Sequence, residues 1–132
     1  MLFPDDYSRT VFQRRSAASY DSHKRRARQS HARLDYSLGD LRHAIGQADT
    51  CPYCLTLLLP TTFSCDHDMP VSRTNNFSLT NLVTCCTRCN QTKGNMSGDE
   101  FLRLLSLLND FNPAARQSVL SRLRAGGRLL HR

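Results

Sequence analysis

Two cysteine pairs stand out by spacing: Cys51-x-x-Cys54 and Cys86-x-x-Cys89. Two residues between thiolates make a turn whose sulfurs converge on one ion. Two such turns supply the four soft ligands of a closed, tetrahedral zinc site, which contributes directly to folding. Cys85 competes with Cys86 for the fourth position, but the symmetry of the pairs favours Cys86. Cys65 and Cys85 then read as small apolar fillers of strands. The pairs are separated by residues 55–85, a longer spacer than the roughly 15–20 residues of a plain zinc ribbon. Something else is inserted.

The insert contains Asp66-His67, and Asn90 follows the last cysteine of the second pair. An acid and a base side by side at a strand end point to opposite sides of the chain. One can hold a metal while the other faces a substrate. Asp66 and Asn90 offer two hard oxygens, which suit Mg²⁺ or Mn²⁺ better than zinc. His67, neutral near pH 7, can take a proton from water.

The run Cys51-x-x-Cys54, Asp66-His67-x-x-Pro70-x-Ser72-Arg73, Asn81-Leu82-Val83, Cys86-x-x-Cys89-Asn90-x-x-Lys93-Gly94 resembles the zinc-containing HNH endonucleases of short bacterial and phage type. The resemblance implies an α+β fold: a ββα-metal core, that is, a β-hairpin plus helix with a two-knuckle zinc site, flanked by helices on both sides. It implies metal-assisted hydrolysis of phosphodiester bonds, one strand per active site, leaving 5′-phosphate and 3′-hydroxyl ends. Asp66 and Asn90 match the ligands of the catalytic divalent ion, His67 the general base, and Asn81 the residue that braces the loop and orients the histidine. Lys93 matches a lysine near the phosphates. Cys51, Cys54, Cys86 and Cys89 match the structural zinc ligands. Two departures bear on the site. Thr74-Asn75 stands where many members have Gly-Gly, though Asn tolerates a left-handed backbone. Asp68 places a negative charge beside the base, which favours the imidazolium unless Asp68 points to solvent.

The elements that must position these residues are partly legible. Residues 1–20 read as a flexible tail. Residues 21–50 read as a basic helical extension and a lead-in helix, 51–96 as the nuclease core, and 97–132 as a helical extension, with 21–132 one structural domain. Ser37-Leu38-Gly39-Asp40 starts a short helix with Leu38, Leu41 and Ile45 on one face, ending near Gly46. Leu57-Leu58-Leu59, Phe63-Ser64-Cys65 and Asn81 to Cys86 read as strand pieces, and residues 70–80 as a polar loop. Ser97-Gly98-Asp99-Glu100 is a capping box before the stripe Phe101, Leu104, Leu105, Leu108. Asn112-Pro113 opens a last helix, which is expected to stop at Gly126-Gly127.

Net charge is +7, and its distribution is uneven. Residues 1–50 carry nine positive and six negative charges, 51–100 three and four, and 101–132 six and one. The excess lies on the flanks, and sixteen of the eighteen cations are Arg, whose fork suits phosphate. Lys24, Arg25, Arg26, Arg28 and Arg33, with Arg73, Arg88 and Lys93, are candidate DNA contacts; the tail residues Arg116, Arg122, Arg124 and Arg128 are weaker ones. His23, His31, His43 and His131 carry no partner pattern and read as surface residues. No apolar run is long enough for a membrane span and no secretory signal is apparent, so a cytoplasmic setting in a bacterial or phage-infected cell is expected. A homodimer or a partner protein is compatible with these flanks. Two rival readings are a nuclease effector subunit, of a phage-packaging or defence complex, that needs its partner for activity, and a non-catalytic zinc module that binds nucleic acid.

Overall fold

The computed structural model describes residues 1–130; His131 and the side chain of Arg128 lie outside what it describes. The fold is α+β. Strand β1 (Phe63–His67) pairs antiparallel with β2 (Leu82–Cys86), with Phe63 opposite Cys86 and His67 opposite Leu82. Helices α1 (Asp6–Gln29) and α2 (Leu38–Gly46) precede the hairpin. A short turn of helix, α3 (Val71–Thr74), and a 3-10 turn (Leu79–Asn81) lie between its strands. Helices α4 (Thr87–Lys93), α5 (Gly98–Leu108) and α6 (Pro113–Leu130) follow. This hairpin, helix and four-cysteine cluster are consistent with a ββα-metal core.

Two small cores flank the hairpin. Phe12, Tyr36, Leu41, Ile45 and Phe63 join α1, α2 and β1 on one side. Cys51, Leu58, Cys85, Cys89 and Phe101 join the knuckles, β2 and α5 on the other. Alternation along β1 explains how one strand serves two neighbours. Phe63 and Cys65 face the first core, whereas Ser64 and Asp66 reach α4 through Asn90 and Lys93.

The caps hold where the sequence places them. Ser37 and Asp40 form a capping box on α2, and Ser97 and Glu100 form one on α5. Asn112 accepts from the Ala115 backbone N–H at the start of α6. Of the three leucines 57–59, only Leu57 makes a bridge, to Thr50, and the pairing strand begins at Phe63.

Two segments differ from expectation. Helix α1 begins at Asp6 rather than near Asp21, so the stretch read as a flexible tail is mostly helix. Asp5 caps it by accepting from Ser8 N at 2.7 Å. Phe12, Ser16, His23 and Ala27 are its buried residues. These positions fall on one helical face, but Ser and His hide the stripe from a hydrophobic reading. Helix α6 does not stop at Gly126-Gly127. It continues to Leu130, and Gly127 serves contact instead. A Cβ there would lie 1.5 Å from the Gln91 carbonyl oxygen of α4. The missing side chain lets α6 press directly on the backbone of the helix that carries Cys89 and Asn90.

Candidate active site and zinc knuckles

The four cysteines Cys51, Cys54, Cys86 and Cys89 bring their Sγ atoms within 4.8 Å of one another. Cys54 and Cys86 sulfurs are 3.7 Å apart. A tetrahedron with Zn–S of about 2.3 Å has edges of about 3.8 Å, so the cluster has the size of a zinc site. The Cys89 backbone N–H donates to Cys86 Sγ, and the Thr56 hydroxyl lies 3.0 Å from Cys54 Sγ. Such outer contacts fix thiolates for a metal. Cys85, fully buried, stands outside this group, as pairing symmetry requires. Burial pushes the Cys65 thiol up to about 12 and raises that of Cys85 as well. Both sit in the paired strands, outside the metal cluster.

A cleft of about 800 Å³ opens where the end of β1 meets α1 and α4. Asp66, His67 and Asn90 all line it. Two of them carry a buried polar atom without a partner, His67 Nε2 and Asn90 Oδ1, while Asp66 Oδ2 is ion-paired with Lys93. Buried polar atoms are nearly always satisfied, so two orphans on one cleft mark a place built for another group. The Asn90 amide is oriented by its donation from Nδ2 to Ser64 Oγ at 2.6 Å, which leaves the carbonyl oxygen as the free end. Two oxygens and one imidazole nitrogen form a donor set that fits a hard divalent cation and its water. Ser64, one residue from Cys65 on β1, was not singled out in the sequence.

His67 is 4% exposed. Its ring lies 5.0 Å from that of His23 and 5.8 Å from that of Phe77. Burial, then the neighbouring His23, Arg26 and Lys93, push its pKa down to about 3. The imidazole is therefore neutral at physiological pH. Asp68, the residue of concern, is exposed and its carboxylate lies against Gly98 at the start of α5. It is not among the causes of the His67 shift.

Lys93 corrects an expectation. It is 1% exposed and faces inward. Its Nζ donates to the His67 carbonyl at 2.9 Å and lies 2.8 Å from Asp66 Oδ2. The second contact is an ion pair, so Asp66 Oδ2 is held by Lys93. Lys93 thus ties the end of β1 to α4 and does not present a cation to solvent. Its neighbour Gly94 turns out of α4 at φ 53°, a backbone that disfavours a side chain, and lines the cleft.

Asn81 is buried and does not line the cleft. Its side chain accepts from Met69 N and donates to the Met69 and Asn76 carbonyls, each at 2.9 Å. Its backbone carbonyl accepts from Asp68 N at 2.8 Å. These bonds brace the 68–81 loop immediately beyond His67. Asn75 takes the left-handed conformation at φ 53°, as the Thr74-Asn75 pair allows, and donates to the Ser30 carbonyl of the α1 end.

The cationic candidates separate. Arg25 and Arg26 line the cleft. Lys24, Arg28 and Arg33 are exposed but are not among its lining residues. Arg73 pairs with Glu100 of the α5 capping box and holds that carboxyl down to about 2. Arg88 is exposed on α4 beside Cys54 and the α5–α6 groove, away from the cleft, and Arg116 and Arg124 line that groove with it. His31 and His43 are exposed as expected. His23 is not: it is 4% exposed, lines the cleft and sits 3.1 Å from the Tyr36 hydroxyl through Nδ1. Its burial, with Arg26 nearby, lowers its pKa to about 4.

Among the described residues no helix is long and apolar enough to cross a membrane. No curated protein matches the sequence. Residues 51–106 match a family model described as HNH endonuclease, a span that begins at the first zinc-knuckle cysteine and contains every residue of the Asp66, His67, Asn90 cleft except those contributed by α1. The hairpin, the helix and the gathered cysteines agree with this match, so residues 51–106 are similar to HNH endonucleases.

Proposed function

We propose that the protein is a metal-dependent DNA endonuclease that nicks one strand per active site. The observation that carries this reading is that Asp66, His67 and Asn90 line one cleft, where His67 Nε2 and Asn90 Oδ1 are buried without a partner. Asp66 and Asn90 are the residues to hold a divalent ion, Mg²⁺ or Mn²⁺, as their oxygens are hard donors. When bound, that ion supplies charge stabilisation of the phosphoryl oxygens and the leaving 3′-oxygen. His67, neutral and buried, takes the proton from the attacking water at Nε2. Asn81 keeps the following loop in place, and Lys93 holds the strand end that carries both Asp66 and His67. Zinc at the four cysteines fixes the first turn of α4 and hence the position of Asn90. Arg25 and Arg26 of α1 offer the cleft its positive wall for backbone phosphates. Six cysteines without a disulfide suit a reducing cytoplasm.

Binding and cleavage test this together. Wild type is expected to bind Mn²⁺ and to nick a supercoiled plasmid in Mg²⁺ or Mn²⁺ but not in EDTA. Asn90→Ala and Asp66→Asn are expected to weaken Mn²⁺ binding by calorimetry while zinc content stays at about one per chain. Undiminished Mn²⁺ binding in both variants contradicts the ligand assignment. Cleavage appearing only after a partner from the same operon or phage is added supports the effector-subunit reading instead.

A further inference from the structure

Helix α1 lies outside the segment matched by the family model, yet it forms one wall of the cleft. Its deepest contribution is His23. This ring is buried, stands 5.0 Å from His67 with planes inclined at 54°, and is anchored by the Tyr36 hydroxyl at 3.1 Å. Phe77 touches His67 from another side, at 5.8 Å and 75°. The base ring is thus confined by two aromatic neighbours. One of these is itself fixed by a hydrogen bond to a residue just ahead of α2. Tyr36 is in turn held by the first core and by Tyr20, whose ring lies 6.0 Å away and whose hydroxyl donates to the Tyr36 carbonyl.

We propose that His23 is a positioning residue for His67: the chain Tyr36, His23, His67 sets the ring of the base within the cleft, so that α1 is part of the active site and not an appendage to it. The inference rests on the nuclease reading above and adds to it a residue that neither touches the reacting atoms nor belongs to the matched segment. The physical reason is that a general base acts only from a narrow range of positions. A ring free to turn by one rotamer loses its aim at the water. A buried imidazole has no hydration shell to hold it, so its neighbours must do so.

The test uses the full chain loaded with zinc. In His23→Ala, kcat for plasmid nicking is expected to fall about 10- to 100-fold with KM for DNA unchanged. His23→Phe keeps a ring against His67 and is expected to recover most of that loss. Tyr36→Phe removes only the hydroxyl and is expected to cost about fivefold in kcat, the size of one neutral hydrogen bond, with little change in Tm. If His23→Ala fails to fold, Tyr36→Phe decides alone: an unchanged kcat overturns the proposal. A raised KM at constant kcat in His23→Ala overturns it too, since His23 is then a substrate contact. Ring ¹H–¹⁵N spectra give an answer independent of catalysis. Wild type should show one sharp set of His67 signals and His23→Ala a broadened or doubled set. Identical sets in the two proteins overturn the proposal. Failure of the wild type to cut any DNA, with or without an added partner, overturns the nuclease reading, and the spectra still decide the role of His23.

Discussion

Helix α4 serves two sites at once, and they differ in kind. At its start, Cys86 and Cys89 join Cys51 and Cys54 in a cluster of soft sulfurs that close on one another. On its next residue, Asn90 turns a hard oxygen toward a cleft where nothing closes. The zinc end is complete within the matched segment, made by two local turns brought together. The cleft end is open, and its third wall comes from α1. A closed soft site suits structure, and an open hard site suits chemistry. On the proposed reading, the rigid end aims the open end, one residue away.

The largest effect should come from breaking the closed site. Cys86→Ser is expected to lose zinc and cooperative folding, since a structural zinc contributes on the order of 10 kcal/mol. Cys85→Ala, its neighbour on the strand, should keep about one zinc per chain. Metal analysis and thermal melting distinguish the two, and the reverse pattern would show the ligands to be misassigned. Next in size is the clamp behind α4. Gly127→Val drives a side chain into the Gln91 carbonyl and is expected to cost about 1–3 kcal/mol in urea unfolding. Gly126→Val, with open space around its Cβ, should cost less than Gly127→Val. Equal losses would mean that α6 does not seat on α4 as described.

A smaller effect sharpens the role of α1. Arg25 and Arg26 line the cleft, whereas Arg28 and Lys24 do not. Removing Arg26 is expected to reduce the salt slope of DNA binding by about one, and removing Arg28 by less. Equal changes would make the helix a diffuse basic surface rather than a cleft wall.

The mildest expected effect is on stability with pH. His67 and His23 are held neutral when folded, down to about 3 and about 4, but in the unfolded chain they take protons below about 6.5. The unfolded state therefore binds more protons in that window. The histidine contribution to stability is complete above pH 6.5 and is lost as pH falls from there toward 4. One such histidine contributes up to about 1.4 kcal/mol per pH unit. Tm should drop between pH 7 and 5, and less steeply in His23→Phe. Parallel slopes would place His23 in solvent.

What the sequence discloses follows the same division. Local chemistry reads well: the CxxC turns gather, the capping boxes form on α2 and α5, and Asp66, His67 and Asn90 line one cleft. Long-range chemistry does not. Lys93 looks like a phosphate contact until α4 folds against β1 and turns it onto Asp66. His23 looks like a surface residue because its partners, Tyr36 and His67, are thirteen and forty-four positions away in the chain. The one available signal was its spacing from Phe12, Ser16 and Ala27, a helical face written in small and polar residues. Gly127 reads as a helix stop because glycine in isolation disfavours a helix, while here the contact with α4 outweighs that preference.

The central claim is that the cleft at the end of β1 is catalytic and that His67 is its base. The most direct measurement is the single-turnover nicking rate of wild type and His67→Ala in Mg²⁺, at matched zinc content and matched Tm. The account predicts a fall of about 10²- to 10⁴-fold in the variant. Equal rates in the two proteins would contradict it.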